Sequence, residues 1–209
     1  MVARMLSKKL RVVPFAAAGL SACLLSASCS SDQTRPPPSQ ATSSETIVPG
    51  RAGGVYEDSF TSYATVRGID RAKRKVTLET SDGTRSTFTA PPEVRNLDQV
   101  REGDRVKATF TERLTVLVNQ DATPGADYAA ASARAPKGAK PGAIVAESYE
   151  AVASVKSIDT AKRTATLEFA DGKTIPVPVR EDVDLTRYKA GDHVLIRVTD
   201  VLSVLTSSP

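Results

Sequence analysis

Tryptophan is absent from this 209-residue chain, histidine occurs once, and cysteine and methionine occur twice each. Met1, Met5, Cys23 and Cys29 all lie near the start, so everything after Cys29 is free of sulfur. Each absence excludes something. No disulfide can staple the later part, which must stand on packing alone. No thiolate is available there as a nucleophile, and no thioether or thiolate as a soft metal ligand. Catalysis needs a reactive group beside a partner that activates it. The lone His193 follows Asp192 directly, and adjacent strand residues point to opposite faces, so the two do not form a limb of a triad. These absences predict a protein that is not an enzyme, with no catalytic residues, no cofactor and no metal site.

What is present begins with a leader. Arg4, Lys8, Lys9 and Arg11 form a basic patch, and Val12 to Leu25 is an apolar run too short for a comfortable membrane span. Leu20-Ser21-Ala22-Cys23 resembles the lipobox of bacterial lipoproteins, and Ser26-Ala27-Ser28-Cys29 is a second, looser match. Residues 1–22 are therefore read as a lipoprotein signal peptide, with lipidation at Cys23 and Cys29 as the alternative. In such lipoproteins the cysteine becomes the N-terminus, and several acyl chains hold it on a bilayer. Leu24 follows Cys23; by resemblance to enterobacterial sorting, the lack of aspartate there points to the periplasmic face of the outer membrane where the cell has one.

Removing the leader cancels the charge excess. The whole chain has 28 basic and 24 acidic residues; the four basic residues of the leader leave 24 against 24. No surplus remains to drive binding to a phosphate backbone, so nucleic acid is not an expected partner. Residues 23–54 are rich in Ser, Thr, Pro and Gly and include Pro36-Pro37-Pro38. Such a stretch cannot bury enough apolar surface to offset its ordering entropy, and it reads as a disordered tether.

The rest of the chain states one pattern twice. Val66 to Gly83 reads VRGIDRAKRKVTLETSDG and Val155 to Gly172 reads VKSIDTAKRTATLEFADG, with Ile69 and Ile158 separated by 158 − 69 = 89 positions. Gly103-Asp104-Arg105-Val106 answers to Gly191-Asp192-His193-Val194, one residue having been lost between. A repeat of this size is one structural unit used twice. Residues 55–119 form the first copy, 120–143 an Ala/Pro/Gly-rich linker and 144–209 the second.

Within a copy, a long strand over about Phe60 to Ile69 is bent at Gly68, and a turn follows at Asp70 to Arg74. Val76 and Leu78 alternate with polar residues, giving a second strand, and Ser81-Asp82-Gly83 or Ala170-Asp171-Gly172 is a hairpin turn. The third strand holds Ser86 to Phe88; its twin holds Ile175, Val177 and Val179, and Pro176 and Pro178 mark it as an edge. A turn of helix is expected within Glu93–Val100 and again within Glu181–Tyr188. A fourth strand carries Val106, Ala108 and Phe110, and a fifth covers Leu114 to Val118, or Leu202 to Leu205 in the second copy. That order predicts an all-β chain of two tandem small five-stranded OB-like barrels, with a curled antiparallel sheet of the same strands as the alternative. In the linker, Asp127 to Arg134 reads as one or two helical turns.

Several side-chain groups invite a functional reading. Arg71, Lys73, Arg74 and Lys75 cluster, but Lys162-Arg163 recurs at the same turn, which makes a solvated hairpin the simpler account. Alternation places Val194, Ile196 and Val198 inward and His193 outward with Arg197. Glu181, Asp182 and Asp184 lack the spacing of a calcium loop, and capping of a helical turn explains them. Tyr63, Tyr149 and Tyr188 are candidates for binding a glycan or peptide.

Val76-Thr77-Leu78, the Asp82-Gly83 turn, the string Pro92 to Val100 and Gly103 to Val106 together resemble a family of bacterial exported proteins that carries this module twice. The resemblance covers nearly all of 55–207 and implies an exported location and β-barrel modules, without an activity. A weaker resemblance, in the Ile-Asp and Gly-Asp turns, is to periplasmic copper chaperones with an OB-like barrel. Those bind Cu(I) through histidine, methionine and tryptophan; here the only methionines, Met1 and Met5, lie in the leader, tryptophan is absent and His193 stands alone, so the metal function does not follow. The resulting expectation is a non-catalytic envelope lipoprotein, anchored to the membrane by lipid, whose paired barrels bind or assemble with an envelope protein or glycan. The alternatives are a periplasmic metal-handling protein and a structural spacer.

Overall fold

The alternation of apolar and polar residues, and the near-absence of glycine or proline inside the alternating runs, produce strands and almost nothing else. The computed structural model describes residues 35–90, 94–118 and 122–209. The leader, with Cys23 and Cys29, lies outside the described residues, as do Pro92 and Glu93. The strands are β1 (Gln40–Thr46), β2 (Gly53–Asp70), β3 (Lys75–Thr80), β4 (Arg85–Thr89), β5 (Arg105–Val118), β6 (Gly125–Arg134), β7 (Gly142–Asp159), β8 (Thr164–Glu168), β9 (Thr174–Pro178) and β10 (His193–Ser207). Single 3-10 turns, Leu97–Gln99 and Leu185–Arg187, sit where the sequence predicts a turn of helix. The chain is all-β.

The ten strands make one open antiparallel sheet in the order β4-β3-β2-β5-β10-β7-β8-β9, with β1 beside β2 and β6 beside β7. Two closed barrels are the sequence expectation; the pairings instead leave both ends of this path open. The reason lies in the middle of β5 and of β10. Separate fourth and fifth strands need a break between Phe110 and Leu114, but Thr111-Glu112-Arg113 contains no turn-forming residue and the strand runs straight through. In β10 the strand likewise runs unbroken across Thr199-Asp200-Val201, although Asp200 is a residue that turns favour. An unbroken strand cannot fold back to close its own barrel. It pairs with its twin instead, from Arg105 opposite Ser207 to Val118 opposite Val194.

A local two-fold relates the copies. Glu112 and Asp200 are equivalent in the repeat, 200 − 112 = 88, the offset between Gly103 and Gly191. They are also each other's partners across the seam, so the two-fold passes between them. β2 and β7 flank the seam in matching register. At the far end of each, the ladder slips by one residue, between Val66 and Gly68 and between Val155 and Ser157. The strand bends there and carries the β3–β4 or β8–β9 hairpin with it.

Each bend encloses a core. At the first, Val66, Leu97 and Val100 pack with Ile69, Val76, Leu78, Ala90 and Val106. At the second, Ala151, Ala153, Val155, Leu167, Phe169, Val194 and Ile196 pack with Leu114, Val116, Val118, Ile158, Ile175 and Val177. β9, with Pro176 and Pro178, is an outer strand, as expected.

Two segments fall outside their expected state. Residues 40–46, within the expected tether, form β1 against residues 55–61 of β2. Residues 125–134, within the expected linker, form β6 rather than helical turns. In both places a long strand offers a row of free backbone groups beyond its hairpin; satisfying that row extends the Ser- and Thr-rich residues 40–46 and outweighs the helical preference of the alanines in residues 125–134.

Candidate functional site

Directly paired residues of neighbouring strands share a face of the sheet, so the register can be read as rows of side chains. The row on the two-fold is Asp58, Glu112, Asp200 and Glu147, four carboxylates on four successive strands. Neighbouring strands are about 4.8 Å apart, so the row extends over roughly 14 Å. Two residues along, on the same face, lies the row Phe60, Phe110, Leu202, Val145. Two residues the other way lies its symmetry equivalent, Tyr56, Leu114, Val198, Tyr149, extended on β6 by Tyr128. The strip is thus acidic along its middle and apolar along both sides. The opposite face between the same strands is polar: Ser59 meets Thr111 and Thr61 meets Thr109 through their hydroxyls, Arg113 pairs with Glu57, and Arg197 with Glu150.

The two apolar rows differ in cover. On the second-copy side Val198 is buried and Tyr149 half-buried, its ring 4.7 Å from that of Tyr128. Burial, and after it the charge of Glu147, pushes the Tyr149 hydroxyl above its usual range. On the first-copy side Phe60 is 51% exposed, Phe110 43%, Leu202 45% and Val145 43%, so four large apolar side chains in one row face solvent. A shallow depression of about 410 Å³ lies where this row meets the acidic one, between Ala41, Ser43, Asp58, Phe60, Phe110 and Glu112. Opposite charges in a partner would suit the middle row, and apolar side chains its flank. Among the described residues no group of three or more His, Cys, Asp or Glu is placed to hold a metal ion; the four carboxylates form a line, not a cage.

Most residues singled out from sequence turn out to build the scaffold. Tyr188 accepts the Ala52 N–H at 2.8 Å. Tyr63 lies across from Lys107, whose ammonium sits 5.9 Å from the ring centre. With Tyr149 on another row, the three tyrosines do not come together. His193 is half-buried at the start of β10, while Val194, Ile196 and Val198 are buried and Arg197 exposed, as the alternation requires. Asp184 caps the second 3-10 turn, accepting from the Thr186 N–H and hydroxyl, which hold its carboxyl below the usual range.

Asp182 does something else. Gly50 N–H donates to it, and Arg180 spans from Asp182 to the carbonyls of Arg51 and Gly53. Arg180 first, then the Gly50 amide, holds the Asp182 carboxyl below its usual range. The loop before β2 is thereby fastened to the second copy. Gly53 is required at its end: a Cβ there would lie 2.3 Å from the Val116 carbonyl oxygen. The loop before β7 is fastened to the first copy in return, through Lys140 to Asp104 and Gln99 and through Asn96 to the Pro136 carbonyl. Each copy is clasped by the loop that leads into the other.

The basic cluster at 71–75 is also corrected. Arg74 and its twin Arg163 both have left-handed backbones, φ 54° and 49°, and both turn inward. Arg74 donates to the carbonyls of Ala90 and Val94, Arg163 to those of Arg180 and Val183, and Arg71 reaches Val100. Only Lys73 and Lys75 behave as a solvated turn. The recurrence of arginine at both positions was the sequence signal for this role. The acidic row, by contrast, has no local signal, because its members lie far apart in the chain.

No protein-family model matches the chain, and no curated protein or solved structure matches it.

Proposed function

We propose that the chain is a non-catalytic lipoprotein of the cell envelope that binds a partner protein along the acidic and apolar strip. Acylation at Cys23, with Cys29 the alternative, anchors it to the membrane, and the Ser- and Pro-rich segment ahead of β1 lets the sheet stand away from the bilayer. On this reading the repeat is an OB-like module that has given up closure to pair with its twin, and the face so created is the working surface. The supporting observation is the exposed row Phe60, Phe110, Leu202 and Val145 beside the row of four carboxylates. Scattered exposed apolar residues are ordinary, but contiguous ones rimmed by charge mark interaction sites. The complementary partner is a protein segment carrying lysine or arginine between apolar side chains.

The test is a photo-crosslinking residue placed at Phe110 or at Thr111, which lies on the opposite face, in cells retaining the leader. A discrete adduct from position 110 and none from 111 is expected, and Phe60→Asp should abolish it. Equal adducts from both positions, or none, would overturn the reading. Labelling with an alkyne fatty acid tests the anchor separately: Cys23→Ser should lose the label, and loss only with Cys29→Ser would move the anchor there.

A further inference from the structure

The strip leaves one feature unused, the outer edge of β6. This strand is ten residues long, and every residue after Gly125 is exposed. Among the described residues it pairs with β7 on one side and with no strand on the other. An edge of this kind presents free N–H and C=O groups to any strand that can approach, and proteins usually blunt it with proline, lysine or a bulge. β9 carries two prolines. From Tyr128 to Ala133, β6 carries no charge, no proline and no side chain larger than serine except Tyr128 itself.

We infer that β6 pairs antiparallel with β6 of a second copy of this chain. A two-fold pairing must keep the same face on both strands, so each residue meets one of equal parity. Centring the two-fold on Ala131 sets Ala131 against itself, Ala130 against Ser132, Ala129 against Ala133 and Tyr128 against Arg134 of the other copy. All the central contacts are then small against small, which lets the backbones approach without a clash. At each end a guanidinium lies over a tyrosine ring that is already half-supported by Tyr149. Tyr128 and Arg134 share a face, since their partners on β7 are Tyr149 and Ala143. The strand is thus complementary to itself in size and face, with a cation–π contact at each end. β1, the comparable strand on the first copy, has no such register: its only charged residue is Glu45, and it holds no cation to answer it.

One strand pair buries less than the roughly 1,200 Å² of a stable soluble interface. The association therefore depends on concentration, and anchoring on one membrane supplies it by raising the effective concentration of neighbouring copies. This inference shares Tyr128 with the covered side of the strip but not the exposed row Phe60, Phe110, Leu202 and Val145, and for the local concentration it needs it rests on the proposed lipid anchor.

The experiment uses the full chain in its envelope, expressed in two tagged forms, with a photo-crosslinking residue at Ala131 or at Ser43 on β1. An adduct of twice the mass containing both tags is expected from position 131 and not from 43. Detergent-solubilised full chain should sediment as a concentration-dependent dimer. Ala131→Lys places like charges on the two-fold and costs a single copy nothing, the site being exposed; it should weaken the dimer at least tenfold with an unchanged melting temperature. No mixed-tag adduct at 131, adducts only to other proteins, adducts equally at 43, or an Ala131→Lys chain that dimerises as before would each overturn the inference.

Discussion

The two copies of the repeat differ most in how well they fill the bend they share. The second encloses Ala151, Phe169 and Ile196, all buried. The equivalent positions in the first are Ser62, Thr80 and Ala108, none of them buried. Backbone and register are alike, so the difference lies in the side chains: Phe169 and Ile196 are larger than Thr80 and Ala108, and Ala151 is apolar where Ser62 carries a hydroxyl. A smaller core covers less of the face beside it. This is why Phe110 is exposed where its equivalent, Val198, is buried. The second copy is the better filled, and the first keeps an open apolar surface. Unequal filling of a duplicated unit changes its surface without changing its fold.

Unequal clasps follow the same division, and breaking them gives the largest expected effect. Asp104 is 2% exposed and depends on Lys140, whereas Asp182 is 39% exposed at its side chain. Lys140→Met leaves the buried carboxylate, among the described residues, only the Arg101 N–H and should cost about 3 kcal/mol in urea denaturation. Asp182→Ala removes exposed hydrogen bonds and should cost about 1 kcal/mol. Calorimetry of both variants should still show one transition, since each clasp crosses between copies and the seam joins them. Two separable transitions would show that the halves are independent.

Core substitutions come next. Ile196→Ala, at 1% exposure, should cost about 2–5 kcal/mol. The reciprocal filling, Ala108→Ile, should gain roughly 0.5–1 kcal/mol if the first copy is underfilled as described. A loss there instead would show that the first bend has no room and that its exposure has another cause.

A smaller effect is expected at the two-fold. Glu112 faces Asp200 directly, and like charges so placed destabilise a sheet. Glu112→Gln should raise stability by about 0.2–1 kcal/mol at low ionic strength, with the gain shrinking as salt is added. A loss of stability would show that contacts made by the Glu112 carboxylate outweigh its repulsion from Asp200.

The smallest difference is at the hairpin turns. The Thr80 hydroxyl first, then the Thr84 amide and hydroxyl, holds the Asp82 carboxyl down to about 2. Its twin Asp171, where Phe169 replaces Thr80, is lowered chiefly by the Lys173 amide. A carboxyl lowered in the folded state contributes stability that is complete above its unfolded value, near 3.8, and lost as the pH falls toward 2. Thr80→Val should raise the Asp82 midpoint toward that value in an NMR titration and leave Asp171 unmoved. An unchanged midpoint would assign the shift to the Thr84 groups alone.

The amino-acid sequence was sufficient for whatever depends on neighbours in the chain. The repeat, the alternation of Val76 and Leu78, the Asp-Gly turns and the prolines of β9 are local signals, and each produced the expected element. The bend at Gly68 was legible too, because glycine inside a strand marks a bulge. Paired Arg74 and Arg163 were visible as a recurrence, though only the fold shows them turned inward to carbonyls. What depends on distant partners was not written locally. Residues 40–46 and 125–134 have weak preferences of their own, and only the free edges of β2 and β7 made them strands. Barrel closure and pairing with the twin satisfy the same backbone groups of β5 and β10. The uninterrupted run through Glu112 and Asp200 decided between them, and with it which carboxylates stand in a row. Local propensity sets which segments extend; the competition among distant edges for hydrogen bonds sets what those segments build.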